Sequence, residues 1–503
     1  MASLVLRKPG LARAAAVQDP NRNERWMHTP SPAETPASPD RAALTPLIAQ
    51  ARAEARATGA PVLACYAAPL PAHDPLDLLC ALGTEGGFRF YWEQPSTALA
   101  LAAGGVARRI GAEGPARFRE SAAQVQNALE HAVRAAELGD CPGPYVLGGY
   151  SFFDRVDAAH WPGFGAAQLV VPQWIAVRQG PDCVGVVSVA VPADAAPERV
   201  AGELEGVLAR LRQAAAAPGR EPANGRNCAF HQEVREDGRA PWTEVVRLAR
   251  ERIRAGQLSK VVLARALDLA CEAPPSALGL LRRLRAAYPD CYNFLFDPGA
   301  GQCFLGATPE RMARFGNGRV RLAAMAGTVP RGRTEEADEA YARLLLESRK
   351  EREEHQIVVD GILAAVQGLG RVEYPGQPQV VKFTNVQHLY TPITLEPGGP
   401  LPILTLLERL HPTPAVGGHP REEACALIRE CEHFERGWYA APVGWMNALG
   451  EGEFAVALRT GKLAGTRLQL FAGAGIVADS DPEREFEETQ IKFQPLLSAL
   501  ASE

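Results

Sequence analysis

The stretch RERIRAGQLSKVVLARALDL, residues 250–269, reads as the end of a helix, a glycine stop at Gly256 and a long apolar strand. Outward from it, strand patterns recur at 291–297, 302–306, 319–325, 454–460 and 467–471, and helical patterns at 241–256, 334–367, 401–410, 421–431 and 482–494. The two kinds of element are interleaved without a regular βαβ rhythm. This predicts an α/β fold of the α+β type, with large mixed, mainly antiparallel sheets flanked by helices.

Towards the N-terminus, GFRFYWEQ, TALALAAG, YVLGGYSFF and AQLVVPQWIAVRQ read as strands, and Ala-rich helices are expected at 114–138 and 196–217. AAAAPGREPANGRN at 214–227 reads as a surface loop between two halves of one structure. The expected organisation is a disordered segment 1–42, an N-terminal half 43–225 and a catalytic core 226–503. The opening MASLVLRKPGLARAAAV, with three basic residues and no acid, resembles a transit segment but lacks the h-region of a secretory signal; the favoured reading is a disordered tail or an over-called start with Met27 as the alternative.

Composition bounds the partners. Lys plus Arg number 53 against 58 Asp plus Glu, a net charge of −5, so nothing overall invites nucleic acid or an anionic membrane. Ten scattered cysteines without a C-x-x-C pair fit a reducing cytoplasm. No apolar run reaches the roughly 20 residues of a membrane-spanning helix.

Polar groups inside apolar sequence mark a candidate cleft. Lys260 opens KVVLARA and shares a strand face with Val262 and Ala264. It reads either as a strand-end lysine reaching for water or as a desolvated general base. Glu310 follows GATP, where it is either a general acid beside a ligand or a turn glutamate paired with Arg311. Glu351 with Glu354, and Glu485 with Glu488, are E-x-x-E pairs that put two carboxylates on one helical face. Together they would suit a hard cation such as Mg²⁺. The competing reading is a solvated charge run with a Glu488–Lys492 ion pair. Arg459 in FAVALRTGKL is placed by alternation with Ala455 and Ala457, where a guanidinium could grip a carboxylate. Gly473 and Gly475 in FAGAGIV let backbone approach an anion; no G-x-G-x-x-G or Walker pattern supports a nucleotide loop.

In this order and spacing, LSKVVLAR, FLGATPERM, AMAGTVPRG, KEREEHQIVV, HPTPAVGGHP, FAVALRTGKL, FAGAGIV and EREFEETQIK resemble the chorismate-utilising enzymes, the family of isochorismate, salicylate, anthranilate and aminodeoxychorismate synthases. The resemblance implies the fold of anthranilate synthase component I. It makes Lys260 the base that activates water and Glu310 the acid that protonates the departing C4 hydroxyl of chorismate. It makes Glu354 and Glu488 the Mg²⁺ ligands, with Glu351 and Glu485 as outer partners. Tyr439, Arg459, Gly473 and Lys492 would surround the substrate carboxylates, Gly327 and Thr328 would line the pocket, and Ala415 would lie beside the ring. His388 and His411 match family histidines.

Within the family, Lys260 stands where the amination enzymes resemble one another in having Gln, and Ala326 stands where aminodeoxychorismate synthases carry a lysine. No amidotransferase subunit is therefore expected. HPTPAVGG departs from the HPSVTASG of salicylate synthases and looks like isochorismate synthase; VQHL and ERGWYA point to the menaquinone branch. Salicylate synthase, a siderophore-branch isochorismate synthase and a catalytically silent relative are the alternatives, and a monomer or homodimer is expected. Ala441 departs from a common Gly, and its methyl either crowds the pocket or has no effect.

Overall fold

The computed structural model describes residues 41–83, 87–137, 139–217, 230–232, 239–384 and 386–501. The lead-in expected over 1–42 lies outside the described residues except for its last two positions, as does most of the loop expected over 214–227.

Among the described residues, two large sheets of thirteen and ten strands carry the fold. Their ladders are antiparallel apart from the parallel pairing of Val62–Pro69 with Val133–Ala136, which agrees with the mainly antiparallel expectation. Strands from both halves of the chain share each sheet. In the first sheet Tyr292–Asp297 pairs with Arg89–Gln94, setting Phe294 opposite Trp92. In the second, Pro442–Asn447 pairs with Tyr145–Tyr150, setting Trp445 opposite Leu147.

Strands such as Tyr292–Asp297 and Gln302–Thr308 are buried at every position, because both of their faces are covered. Between the sheets, Phe296 packs 4.5 Å from Trp438, and Trp161 meets Phe304 edge-on at 5.4 Å. Each such fully buried ring contributes about 2–3 kcal/mol of transfer free energy. No helix among the described residues is long and apolar enough to cross a membrane.

Four segments differ from the sequence reading. The helix expected at 114–138 ends at Glu130, and Val133–Ala136 joins the first sheet, where an open strand edge outweighs alanine's helix propensity. The helix expected at 334–367 is two, Glu335–Glu347 and Arg349–Val366. Ser348 separates them in an extended conformation, and its hydroxyl accepts the Glu351 N–H at 3.3 Å. AQLVVPQWIAVRQ divides at Pro172 into Ala167–Val171 of the second sheet and Trp174–Gln179 of the first. The strand expected at 454–460 stops at Val456, and the chain crosses to the other sheet before resuming as Thr460–Ala464.

Candidate active site

A cleft opens between the two sheets, beside the helices Arg349–Val366 and Pro482–Ala501. Lys260, Glu310, Gly327, Thr328, Glu354, Ala415, Tyr439, Arg459, Gly473, Glu488 and Lys492 all line it, as does His388. Of the residues singled out from sequence for catalysis, substrate and metal, Glu351 and Glu485 alone are off its wall.

Lys260 begins the strand Lys260–Cys271, and only 1% of it is exposed. Alternation brings Lys260 and Val262 to the same cleft, and Lys260 Nζ lies 2.8 Å from Glu354 Oε1. The lysine therefore does not snorkel to water. Glu354 has room to reach it because residue 475 is a glycine: a Cβ there would come 2.5 Å from Glu354 Oε1 and 3.1 Å from Lys260 Cε.

Glu310 immediately precedes the strand Arg311–Gly316 and is 7% exposed. Its carbonyl accepts the Val456 N–H at 3.0 Å, which holds the turn against the crossing between sheets. Burial pushes its carboxyl up to about 7, against the opposing pull of Lys260, Arg459 and Lys492. Arg311 is not its partner. That guanidinium turns away, with Nε donating to Tyr292 Oη at 2.8 Å and lying 3.3 Å from Glu453 Oε1. One face of the cleft thus offers a lysine and the other a carboxyl that is partly protonated near neutral pH, two groups that acid–base chemistry can use.

The acidic pairs come from the two helices beside the cleft. Burial, with the charge of Glu354 next, pushes the Glu351 carboxyl up to about 7. Burial and then Glu488 push Glu485 to about 7 as well. Three ammonium groups answer this charge: Lys260 meets Glu354, Lys350 lies 3.3 Å from Glu485, and Lys492 lies 2.5 Å from Glu488. Lys492 also donates to the Gly473 carbonyl at 2.8 Å. The Glu488–Lys492 ion pair expected as an alternative to metal binding is therefore formed, but inside the cleft wall. All four donors are carboxylate oxygens, and their mutual repulsion favours a cation, so the set suits a hard divalent ion. As arranged here Glu354, Glu485 and Glu488 each face a lysine, and the four do not close on one point. Among the described residues, Asp157, His160 and Glu435 do have ligand atoms within 4.8 Å of one another, but at the surface.

The remaining wall is mostly neutral or cationic. Arg459 lies in the crossing between sheets with φ +52°, so the strand alternation with Ala455 and Ala457 does not orient it. Burial lowers its guanidinium from its ordinary value. Tyr439 stacks on Phe471 at 5.2 Å, and burial pushes its hydroxyl up to about 12. Gly327, at φ +76°, forms a bulge between Ala326 and Thr328, and a Cβ on it would lie 3.0 Å from Glu351 Oε2. His388 Nδ1 donates to the Gly327 carbonyl at 3.1 Å, and burial lowers the ring to about 3, so it is neutral.

The family described as chorismate binding enzymes matches residues 49–501. The chain belongs to that family. It is 36% identical over 458 residues to the salicylate biosynthesis isochorismate synthase of Pseudomonas aeruginosa, covering 89% of this chain and 92% of that protein. It is 35% identical over 456 residues to the isochorismate synthase MenF of Bacillus subtilis, covering 88% and 94%. The solved structure of MenF, the menaquinone-specific isochorismate synthase from Escherichia coli, matches with a TM-score of 0.72 at 26% identity, over 90% of this chain and all of that one.

His411 is not on the cleft wall: its Nε2 donates to the Phe152 carbonyl at 2.9 Å and its ring packs on Phe118 and Phe152. Ala441 is fully buried and also off the wall, whereas Ala440, at φ +61°, is on it. Sequence reasoning passed over Arg436, which lines the cleft and pairs with Glu432. The i to i+4 spacing of an acid and an arginine in ECEHFERGWYA was the available signal.

Proposed function

We propose that this chorismate-binding enzyme is an isochorismate synthase, which converts chorismate to isochorismate by adding water at C2 as the C4 hydroxyl departs. The observation that carries the reading is that Lys260, at the start of one strand, and Glu310, in the turn before another, open into one buried cleft. Lys260 acts as the neutral amine and takes the proton of the attacking water, becoming the ammonium that faces Glu354. Glu310 delivers a proton to the leaving C4 oxygen, the two ring double bonds shift, and the elements of water are balanced.

Chorismate is a dianion, and Arg459 and Lys492 suit its carboxylates. Glu354 and Glu488 would hold Mg²⁺, with Glu351 and Glu485 acting through water; the bound ion supplies charge neutralisation at a substrate carboxylate. Tyr439 and the Gly473 backbone complete the anion grip, Gly327 and Thr328 line the pocket, and Ala415 lies beside the ring. We assign the enzyme to the cytoplasm and expect it to act without an amidotransferase subunit.

The menaquinone branch is the destination we propose for the product. The near-equal identity to a relative named for salicylate biosynthesis supports a second reading, supply of a siderophore branch. The purified chain should be incubated with chorismate and Mg²⁺, with and without ammonium, with EDTA as control, and its products separated by chromatography. Isochorismate that disappears with EDTA is expected. Salicylate with pyruvate would move the enzyme to the lyase branch, anthranilate would overturn the role of Lys260, and binding without turnover would mark a silent relative.

A further inference from the structure

The strand that carries Lys260 has a gap along one edge. Its partner Arg467–Ile476 runs beside it from Val261 to Ala270. On the opposite edge, strand partners among the described residues occur only at the two ends. Gly418–His419 lies opposite Lys260 and Val261, and Phe230–Gln232 lies opposite Leu269–Cys271. Between them, Val262 and Ala264 have backbone groups directed to an edge with no strand on it. Buried groups of this kind cost about as much as a lost hydrogen bond unless something pairs with them.

The Gly417 carbonyl accepts the Val262 N–H at 2.9 Å, and two side chains fill the rest of the gap. The Glu432 carboxylate accepts the Ala264 N–H at 2.7 Å. The Arg436 guanidinium donates to the Val262 carbonyl at 2.7 Å, to the Val416 carbonyl at 3.0 Å and to both Glu432 oxygens at 2.7 and 2.5 Å. Its side chain is 1% exposed and that of Glu432 4%, and the guanidinium lies 4.2 Å over the Phe152 ring. An ion pair thus takes the place of the missing strand.

We infer that Arg436 is a positioning residue that sets the distance between three parts of the cleft wall: the strand of Lys260, the loop of Ala415 and the turn of Tyr439. Val262 is two residues from Lys260, Val416 adjoins Ala415, and the Tyr439 N–H donates to the Arg436 carbonyl at 2.9 Å. Four acceptors in three directions match the planar fork of a guanidinium, and an ammonium cannot serve them together. The consequence for catalysis rests on the isochorismate synthase reading; the bracing of the strand does not.

The test compares Arg436→Lys with Phe152→Leu, which removes the ring beneath the guanidinium and keeps its hydrogen bonds. In Arg436→Lys, kcat should fall about tenfold or more while KM stays within about threefold, because Lys492, one of the two cations proposed to grip the carboxylates, is held by Gly473 and Glu488 and not by Arg436. Phe152→Leu should lower the melting temperature but keep kcat within about threefold, which separates positioning from stability. Hydrogen exchange at the amides of 262–264 and 416–418 should be about tenfold faster in Arg436→Lys.

If Arg436→Lys does not fold, Glu432→Gln replaces it, with an intermediate loss of kcat expected. Wild-type kcat in Arg436→Lys, equal losses in Arg436→Lys and Phe152→Leu, or unchanged exchange would overturn the inference. If the wild-type enzyme makes no isochorismate, the functional reading fails and the exchange measurement alone decides the role of Arg436.

Discussion

Lys260 Nζ and Glu354 Oε1 are 2.8 Å apart inside the cleft, so the proposed base and a proposed metal ligand are each other's counter-ion. Removing one member of a buried pair leaves the other charge uncompensated, at a cost of about 3–5 kcal/mol. A divalent cation can take over that compensation. In Lys260→Met, water addition should fall by about 10²–10⁴-fold. The variant's melting temperature should drop in EDTA and recover with Mg²⁺, and calorimetric titration should show tighter Mg²⁺ binding than in the wild type. Turnover at the wild-type rate would remove Lys260 from the mechanism.

The pH dependence follows from Glu310, whose carboxyl burial raises to about 7. As the proposed acid it must be protonated, so kcat should decline as pH rises through that value. The stability contribution has the same direction. A carboxyl whose folded value lies above its unfolded value, about 4.3, is fully favourable below the unfolded value and loses that stability as pH rises through the folded one. Glu310→Gln should therefore melt at a higher temperature than the wild type at pH 8 and with little difference at pH 4, while losing about 10²–10⁴-fold in kcat. A variant less stable than the wild type at pH 8 would contradict the desolvation argument.

Gly475 gives a steric test of the metal assignment. A methyl at this position would stand 2.5 Å from Glu354 Oε1, and backbone and carboxylate cannot both remain in place. Gly475→Ala should raise the Mg²⁺ concentration for half-maximal activity by about tenfold, the scale seen when the groups that orient a ligand are lost. Gly180→Ala is the control: its site is open, and at φ +61° the change should cost about 1 kcal/mol of stability with no effect on Mg²⁺. An unchanged Mg²⁺ requirement in Gly475→Ala would take Glu354 out of the ligand set.

The elements were legible where the apolar period was strong and both faces were buried, as in Lys260–Cys271 and Tyr292–Asp297. They were illegible where one continuous pattern spans two structures. KEREEHQIVV follows the preceding helix with no proline or glycine between them, and the break at Ser348 rests on a single hydroxyl cap. FAVALRT reads as one strand, yet Arg459 turns at positive φ where the chain changes sheets. Lys260, Glu310, Glu354, Arg459 and Glu488 were legible as polar groups in apolar sequence, whereas Gly327, Thr328, Ala415 and Tyr439 came only with the family resemblance. Arg436 was not: its i to i+4 spacing from Glu432 signals an ion pair, but not its task of satisfying the backbone of a strand 174 residues away in sequence.

Ala441 resolves into a prediction about stability rather than activity. Its N–H donates to the Trp438 carbonyl and its carbonyl accepts the Ala457 N–H, so its backbone is fixed between two cleft segments. The residue itself is 0% exposed, packs within the main apolar core and is absent from the cleft wall, so its methyl does not compete with a substrate for space. Ala441→Gly should cost about 1–2 kcal/mol, from the lost methyl and the added backbone freedom of the unfolded chain. Its kcat and KM for chorismate should stay within about twofold of the wild type. The adjacent Ala440 is the contrasting position. It reaches the cleft at φ +61°, a conformation glycine adopts without strain, so Ala440→Gly offsets its lost methyl and should change KM more than stability. If Ala441→Gly moved KM by about fivefold or more while leaving the melting temperature unchanged, the methyl would have to face the substrate, and the placement of this turn would be wrong.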